Sequence, residues 1–268
     1  MSRTYCLLGC VVVLALMTVP VWAETARVQG MGYTMIAVGT DAGAWYNNSA
    51  LVSRIDLLGT PGSDWGTRAA VTTEVNADWD ATSVDVSLRQ QDGRRGFGVG
   101  YMSFEDEDIF GAAYGQACNW VSGLFWGVNV INFSWDNAGT EGGDDNDTLF
   151  NIGLAYEPQL DSSPVRTRFG AEVWDVTNQW DTQLNLGAAG YWPNGFVLAA
   201  DLLDVFDMAI FDVGAEYNMD GFSGRLGVAD GDFTAGVGYH QDRWELGISY
   251  GNTGFGDDSV AVMVGSGF

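Results

Sequence analysis

Groups that could carry out covalent chemistry are scarce in this sequence. Its one histidine, His240, stands beside a predicted tight turn with no nucleophilic residue close to it in the sequence. A histidine-based active site needs a nucleophile within hydrogen-bonding reach of the imidazole, and a zinc site needs a cluster of His and Cys ligands. Neither pattern is present, so we expect that the protein is not an enzyme and uses no metal and no cofactor.

A set of charged residues falls on one face of the predicted strands. This face also carries glycine and serine, so it would form the interior of a closed sheet. Placing Tyr217 opposite Phe222 would leave Glu216 diagonal to Arg225, within reach of their long side chains. Ion pairs of this kind either fill and stiffen the interior or select a substrate there. The set comprises Arg166, Arg168, Glu172, Asp212, Glu216, Arg225 and Glu245.

Strict alternation of large apolar and small or polar residues predicts the strands that position these charges. In residues 243–251 the apolar set is Trp244, Leu246, Ile248 and Tyr250, and the residues between them are glutamate, glycine and serine. The last strand repeats the pattern and ends at Phe268. An apolar outer face and a small or polar inner face are typical of strands that contact lipid on the outside of a barrel.

Turn residues provide a second indication of which residues pair. Asp230-Gly231 is a two-residue hairpin signal that pairs Val228 with Phe233. A three-residue turn at 193–195 pairs Gly190 with Leu198. A two-residue turn at Gln241-Asp242 would pair Tyr239 with Trp244, and all three hairpins keep the apolar residues on one face.

About fourteen candidate strands can be counted, and twelve is the alternative. They are centred near residues 72, 86, 99, 112, 128, 151, 170, 186, 199, 212, 225, 236, 247 and 263. Single-chain bacterial barrels have an even number of strands. We therefore predict an all-β fold, an antiparallel transmembrane β-barrel; a secreted soluble β-sandwich is the remaining alternative.

Residues 1–23 are typical of a cleaved secretory signal peptide. Arg3 precedes an apolar run that ends before a Val-Trp-Ala sequence, with small residues where a signal peptidase cuts. Cys118 is then the only cysteine left, and we expect it to be a small buried apolar residue. The predicted divisions are 1–23 for the signal peptide, 24–52 for an N-terminal segment and 53–268 for the barrel.

The charge balance is strongly acidic, with 35 Asp and Glu against 11 Arg, no lysine and a formal net charge of −24. Nucleic acid is excluded as a partner because phosphate binding needs a basic patch. Acidic clusters at 105–108, 136–147 and 251–258 would share the outer side of the membrane. Residues 144–147 carry oxygen ligands of the kind that Ca²⁺ prefers, although they have no defined ligand spacing and a solvated acidic loop is the default interpretation.

Aromatic residues near the predicted strand ends suggest a membrane interface. Such rings lie at the level of the lipid headgroups, and a sugar-binding platform is the alternative. These residues are Trp174, Trp192, Tyr239, Trp244 and Tyr250.

The segment before the strands does not alternate and is rich in small residues. Its Gly30-Met31-Gly32, its Asp41-Ala42-Gly43-Ala44 and its Asn48-Ser49-Ala50 resemble the N-terminal signature of the long-chain fatty-acid transporter superfamily and its PorV-like relatives. Ser49 stands where that signature usually has proline. In these families the segment folds into the barrel mouth or lumen as a hatch, so the resemblance implies hatch roles for Gly30, Met31, Gly32, Asp41 and Asn48.

A second resemblance covers the C-terminal part of PorV-like barrels, over residues 201–204, 214–217, 225–227 and 233–238. Together the two resemblances imply an outer-membrane barrel that acts as a passive channel for small hydrophobic molecules. The alternative is a structural or secretion-associated barrel that docks a periplasmic or surface protein. The terminal Phe268 is similar to the aromatic signal that the barrel-assembly machinery binds, so that machinery and outer-membrane lipid are expected partners.

Overall fold

The computed structural model describes residues 26–31, 33–39, 42–55, 65–76, 80–104, 107–135, 145–160, 163–252 and 258–267. Within these residues fourteen antiparallel strands form one closed barrel, which confirms the predicted fold class and strand number. The strands are β1 Trp65–Asn76, β2 Asp80–Gln90, β3 Arg95–Phe104, β4 Glu107–Ala117, β5 Leu124–Trp135, β6 Asp145–Tyr156, β7 Arg166–Trp174, β8 Gln183–Tyr191, β9 Phe196–Leu203, β10 Ile210–Met219, β11 Phe222–Ala229, β12 Asp232–Gln241, β13 Trp244–Asn252 and β14 Asp258–Gly267.

Pairing of the first strand with the last closes the barrel. Residues of β1 face those of β14 from Arg68 opposite Gly267 to Asn76 opposite Ser259. Every other strand pairs with its two neighbours in the sequence. A closed sheet has no edge strand with unpaired backbone groups, which is a requirement for crossing lipid with strands.

The two faces of the strands follow the predicted alternation. Trp244, Leu246 and Ile248 are 58%, 50% and 52% exposed on the outer surface, whereas Glu245 and Ser249 between them are buried inside. The predicted outward face of β13 is therefore confirmed. The closed barrel also rules out the β-sandwich, in which these large residues would pack between two sheets.

The barrel has two chemically different ends. We call the end at which β1 begins and β14 finishes the terminal end, and the opposite end the loop end. Strand directions place eight arginines of residues 65–267 in the terminal half of the barrel, and Arg27 and Arg54 form ion pairs with Glu216 and Glu157 in the same half. The described parts of the three predicted acidic clusters, which begin at Glu107, Asp145 and Asp258, lie at the loop end. The acidic clusters thus share one end.

Two of the predicted hairpins have the predicted pairing. Asp230 and Gly231 have φ values of 46° and 91°, the left-handed conformation that a two-residue hairpin turn requires. Val228 lies opposite Phe233 as predicted, and Gly190 lies opposite Leu198.

The predicted register is wrong at two other hairpins. Tyr217 lies opposite Gly224 rather than Phe222, because the turn is formed by Asp220 and Gly221, both with positive φ. Tyr239 lies opposite Leu246 rather than Trp244. The turn there is Asp242-Arg243, with φ of 53° at Asp242. Each error displaces the pairing by two residues, so the assignment of the faces is unaffected.

Residues 26–31, 33–39 and 42–55 precede the barrel strands and contain three short helical turns; we call them the N-terminal segment. They include α1 (Ala26–Gly30), α2 (Ala44–Asn47) and a 3₁₀ helix (Ser49–Arg54). Helix α1 contacts β11 to β14, and the 3₁₀ helix contacts β2 to β6. Among the described residues, no helix is long and apolar enough to cross a membrane.

Candidate functional site

The described residues of the N-terminal segment pack against the inner faces of the barrel strands. Four of its large apolar side chains, Met31, Ile36, Trp45 and Leu51, are fully buried although none belongs to a strand. Helix α1 lies against β11 to β14 and the 3₁₀ helix lies against β2 to β6, so the segment contacts two different parts of the barrel wall. The candidate functional site is therefore the inner face of the barrel where this segment lies, and its chemistry depends on how the segment is held.

Glycines on the inner face allow the segment to lie directly against the wall. A Cβ atom added at any of these glycines would come closer than 3.0 Å to the segment, a distance that real Cβ atoms essentially never show. Only glycine permits so close an approach of another backbone or ring. The glycines and the groups they meet are Gly96 (Val52 O), Gly100 and Gly111 (Trp45 ring), Gly127 (Ser49 backbone), Gly170 (Ile36 O) and Gly214 (Met31 O).

An apolar core forms between the segment and strands β3 to β6. Trp45, Leu51 and Val52 pack here against Ile109 and Ile131 of the wall, and all five are completely buried. Burying apolar side chains of this size contributes roughly 1.5–3 kcal/mol each. This half of the lumen is therefore a packed hydrophobic interior rather than a water-filled pore.

Polar contacts hold the middle of the segment. The side-chain amide of Asn48 donates to the carbonyl oxygens of Ile36 (2.8 Å) and Leu154 (3.2 Å), and its Oδ1 accepts from the amide of Ala50. Asp201 of β9 accepts from the backbone amides of Met35 and Ile36, at 2.6 and 2.8 Å. These bonds supply partners for backbone groups that belong to no sheet.

The structure places some of the expected hatch residues. Gly30 packs against the backbone of Gly236, where an added Cβ would lie 3.0 Å from the Gly236 Cα. Met31 is fully buried, and Asn48 begins the 3₁₀ helix. Gly32, Asp41, Phe268 and the predicted signal peptide lie outside the described residues.

Glu216 links the segment to the barrel wall. It accepts from Arg27 of α1 at 3.0 Å and from Arg225 of β11 at 2.7 Å, and all three side chains are buried. Glu216 lies directly opposite Arg225, not diagonal to it as expected, because of the tighter turn at Asp220-Gly221. An arginine on each side compensates the burial of one carboxylate.

A second link joins the end of the segment to the wall. Glu157, in the connection after β6, accepts from Arg54 of the 3₁₀ helix at 2.9 Å and from Arg168 of β7 at 2.6 Å. Burial alone would raise the pKa of Glu157, but the positive charges of Arg168 and Arg54 outweigh it and hold the pKa below its ordinary value. The carboxylate is thus ionised and pairs both arginines.

The remaining predicted charges lie on the inner face or at its rim. Glu172 and Asp212 are buried on the inside, and Glu245 pairs with Arg68 of β1. Arg166 is exposed at the terminal end, where its guanidinium lies 4.5 Å from the centre of the Tyr191 ring. The predicted residues therefore do not form one ring but belong to several separate contacts.

Sequence reasoning missed several residues that hold the segment or join strands of the wall. These are Arg27, Arg54, Arg68, Trp45, Asp85 and Glu157, which form the ion pairs above and a bond between the Trp45 indole and Asp85. Their partners are distant in sequence, so no local pattern joins them. The one available signal was the run of inward glycines in β3, which indicates that another part of the chain approaches closely.

Four aromatic rings cluster at the loop end of the lumen. Phe133 lies within about 6 Å of Trp135, Trp174 and Trp180, and the Trp180 indole donates to Asp147 at 2.8 Å. The headgroup position predicted for Trp174 is wrong: Trp174 packs with the interior because it shares the face of buried Glu172. Trp244 and Tyr250 do lie on the outer surface.

No group of three or more His, Cys, Asp or Glu side chains in the described part of the chain could hold a metal ion. The suggested Ca²⁺ ligands at 144–147 include residue 144, which the structure does not describe.

No protein-family model matches the sequence, and no curated protein matches it. Solved structures do resemble the barrel. A mutant of the TodX monoaromatic hydrocarbon channel is 13% identical with a TM-score of 0.55, and the match covers 91% of this chain and 97% of that one. A Pseudomonas aeruginosa FadL homologue is 10% identical with a TM-score of 0.55, covering 93% and 99%. At these identities the likeness is one of fold.

Proposed function

We propose that the chain is an outer-membrane channel for small hydrophobic molecules whose lumen is closed at rest by its own N-terminal segment. The proposal rests on the burial of most described residues of this segment against the inner faces of the strands, although none of these residues belongs to a strand of the barrel. A plug held by side-chain contacts can move without breaking the sheet. The two neighbours in fold, a monoaromatic hydrocarbon channel and a FadL homologue, support this class of function.

The outer surface supports a position in the membrane. Large apolar side chains such as Leu246, Ile248 and Val262 point outwards and are about half exposed. Closure of the sheet satisfies the backbone, as lipid requires. In the proposed orientation the terminal end faces the periplasm and the acidic loop end faces outwards, at a surface where divalent cations bridge anionic glycolipids.

The loop end supports a hydrophobic passenger. The cluster of Phe133, Trp135, Trp174 and Trp180 stands directly above the apolar core that the segment forms with β3 to β6. A small apolar molecule would find favourable contacts there and a polar one would not. Further passage requires the N-terminal segment to shift, because the inward glycines of β3 to β7 leave no space between the segment and this part of the wall.

A disulfide that fixes the segment tests the proposal. A Cβ added at Gly247 would lie 3.2 Å from the Cβ of Ala26, within a few tenths of an ångström of the ~3.5–4.5 Å that disulfides span. Ala26→Cys with Gly247→Cys, in a Cys118→Ser background, should block uptake of a fluorescent apolar dye into lipopolysaccharide-containing vesicles when oxidised. Reduction should restore it.

Two further variants complete the experiment. Ala26→Cys alone should be insensitive to oxidation, and deletion of residues 24–55 should raise both uptake and single-channel conductance. Heat-modifiable migration on a gel checks that each variant still forms a barrel. If neither the tether nor the deletion changes uptake, the channel proposal is wrong.

A structural barrel that docks another protein is the second candidate. The close fit of the segment against Gly100, Gly127 and Gly214 favours it, because such complementarity suits a permanently closed lumen. For this function we expect no dye uptake in either oxidation state and a stable periplasmic or surface protein that co-purifies with the barrel.

A further inference from the structure

A polar chamber lies at the terminal end of the lumen, beside the N-terminal segment. Its volume is about 370 Å³, and it is bordered by β1 and by the strands from β7 to β13. The chamber is separate from the apolar core at β3 to β6. Its charged lining consists of Arg27, Arg68, Arg166, Arg225, Glu216 and Glu245.

The chamber has an excess of positive charge in a strongly acidic protein. Four arginines face two glutamates, which leaves two positive charges without a negative counterpart in the lining. The whole chain has a formal net charge of −24. Positive charge in an enclosed site of low dielectric attracts an anion more strongly than the same charge in water would.

Arg225 has hydrogen-bonding capacity that nothing in the described protein uses. Its Nε donates to Glu216 at 2.7 Å and its Nη2 donates to Ser223 at 2.8 Å. Its Nη1 is buried and has no hydrogen-bond partner among the described residues, and the side chain as a whole is only 4% exposed. A buried donor without a partner costs about 1–3 kcal/mol, more when it is charged, so this group indicates a missing acceptor.

Arg166 provides a second cation at the entrance. Its guanidinium stacks on the Tyr191 ring at 4.5 Å. It forms no ion pair with any carboxylate that the structure describes. Because Arg166 and His240 are exposed while Arg225 is buried, the chamber opens towards the terminal end.

We propose that this chamber binds a small oxyanion, a carboxylate or a phosphate group, between Arg225 and Arg166. The unused Nη1 of Arg225 and the guanidinium of Arg166 can each donate charge-assisted hydrogen bonds to the oxygens of either group. A volume of about 370 Å³ accommodates inorganic phosphate or a short carboxylic acid. The site is reached from the terminal end, so its occupation does not depend on movement of the segment or on the proposed channel function.

Calorimetric titration of the detergent-solubilised mature protein tests the site. Inorganic phosphate and propionate are titrated separately at low ionic strength, and we expect saturable binding of one anion per barrel. Replacing a charged donor removes about 1.5–3 kcal/mol, so Arg225→Gln and Arg166→Gln should each weaken the affinity about tenfold or more. Arg94→Gln, in an exposed turn at the same end, should leave it unchanged.

Using both Arg225→Gln and Arg166→Gln distinguishes loss of the anion site from misfolding of the barrel. Arg225 also holds Glu216, so Arg225→Gln could disturb the barrel, whereas Arg166 is exposed and holds no acid. Binding of phosphate alone or of propionate alone supports the site and identifies the chemistry. The absence of saturable heat with both anions shows that the chamber holds water only, and affinity unchanged in Arg166→Gln and Arg225→Gln equally overturns the proposal.

Discussion

The indole Nε1 of Trp45 donates a hydrogen bond of 2.6 Å to Oδ1 of Asp85. Both residues are buried, Trp45 in the N-terminal segment and Asp85 on the inner face of β2. The ring also lies against Gly100 and Gly111 of the neighbouring strands. One tryptophan thus combines apolar contact, close approach to the wall and a bond to a buried acid, which makes it the central contact of the segment.

Trp45→Phe should weaken the attachment of the segment by about 1–3 kcal/mol, because it removes the donor and leaves a buried carboxylate with one partner fewer. Ser83 remains as a second donor to Asp85. The measurement is the denaturant midpoint of the refolded protein in detergent. Trp244→Phe, on the exposed outer face, is the control and should leave the midpoint unchanged; equal midpoints for both variants would contradict the importance of the bond.

Gly100→Ala should destabilise the protein by about 1–3 kcal/mol, the range for overpacking an interior, because its new Cβ would collide with the Trp45 ring. Gly224→Ala is a matched control in another strand, where an added Cβ meets nothing within 4 Å. In the double variant with Trp45→Ala, the collision disappears. The cost of Gly100→Ala should then largely vanish, and a fully additive pair would refute the contact.

Glu216→Gln should release the beginning of the segment. Breaking a buried ion pair by removing one partner costs about 3–5 kcal/mol, so the open fraction should rise roughly a hundredfold to a few thousandfold. Trypsin then cuts after Arg27, which is buried in the native protein. Cleavage after the exposed Arg94 is an internal standard, and an unchanged ratio of the two cleavages would mean that Glu216 does not hold the segment.

Acidification should loosen the other end of the segment through Glu157. The pKa of Glu157 in the folded protein is below its ordinary value because of Arg168 and Arg54, whose charges outweigh the opposing effect of burial. Its stabilising contribution is therefore complete above the pKa of an unfolded glutamate, about 4.3. It declines as the pH falls below that value and is lost as the pH passes through the folded pKa.

Comparison with Glu157→Gln isolates this contribution. The difference in unfolding free energy between the native protein and the variant should be constant at neutral pH and shrink below the glutamate range. The control variant Asp92→Asn lies in an exposed turn at the same end. Its unfolding free energy should not differ from that of the native protein in this pH-dependent way. A difference in unfolding free energy that grows on acidification would contradict the prediction.

The barrel itself was predictable because its rules are local. Alternation in β13 assigned Trp244 and Leu246 to the outside, and the spacing of alternating segments and turns indicated about fourteen strands, with twelve as the alternative. The register at Asp220-Gly221 and Asp242-Arg243 was not predictable to the residue. Moving a turn by one residue shifts the pairing by two, and the apolar pattern is the same in both registers.

The contacts between the N-terminal segment and the barrel wall were predictable only in outline. Resemblance suggested that the first residues enter the barrel, but not their partners. Trp45 and Asp85 are 40 residues apart, and Arg27 and Glu216 are 189 apart. No periodicity relates positions at such separations. The expectation of interior charge came from the strand pattern, whereas the pairing of each charge required the path of the N-terminal segment.

The separation of arginines at the terminal end from acidic residues at the loop end gives the molecule an electric dipole along the barrel axis. A dissolved anion approaching the loop end meets repulsion, and one approaching the opposite mouth meets attraction. Any ionic current through the opened barrel should therefore rectify, passing more readily for one sign of applied voltage than for the other.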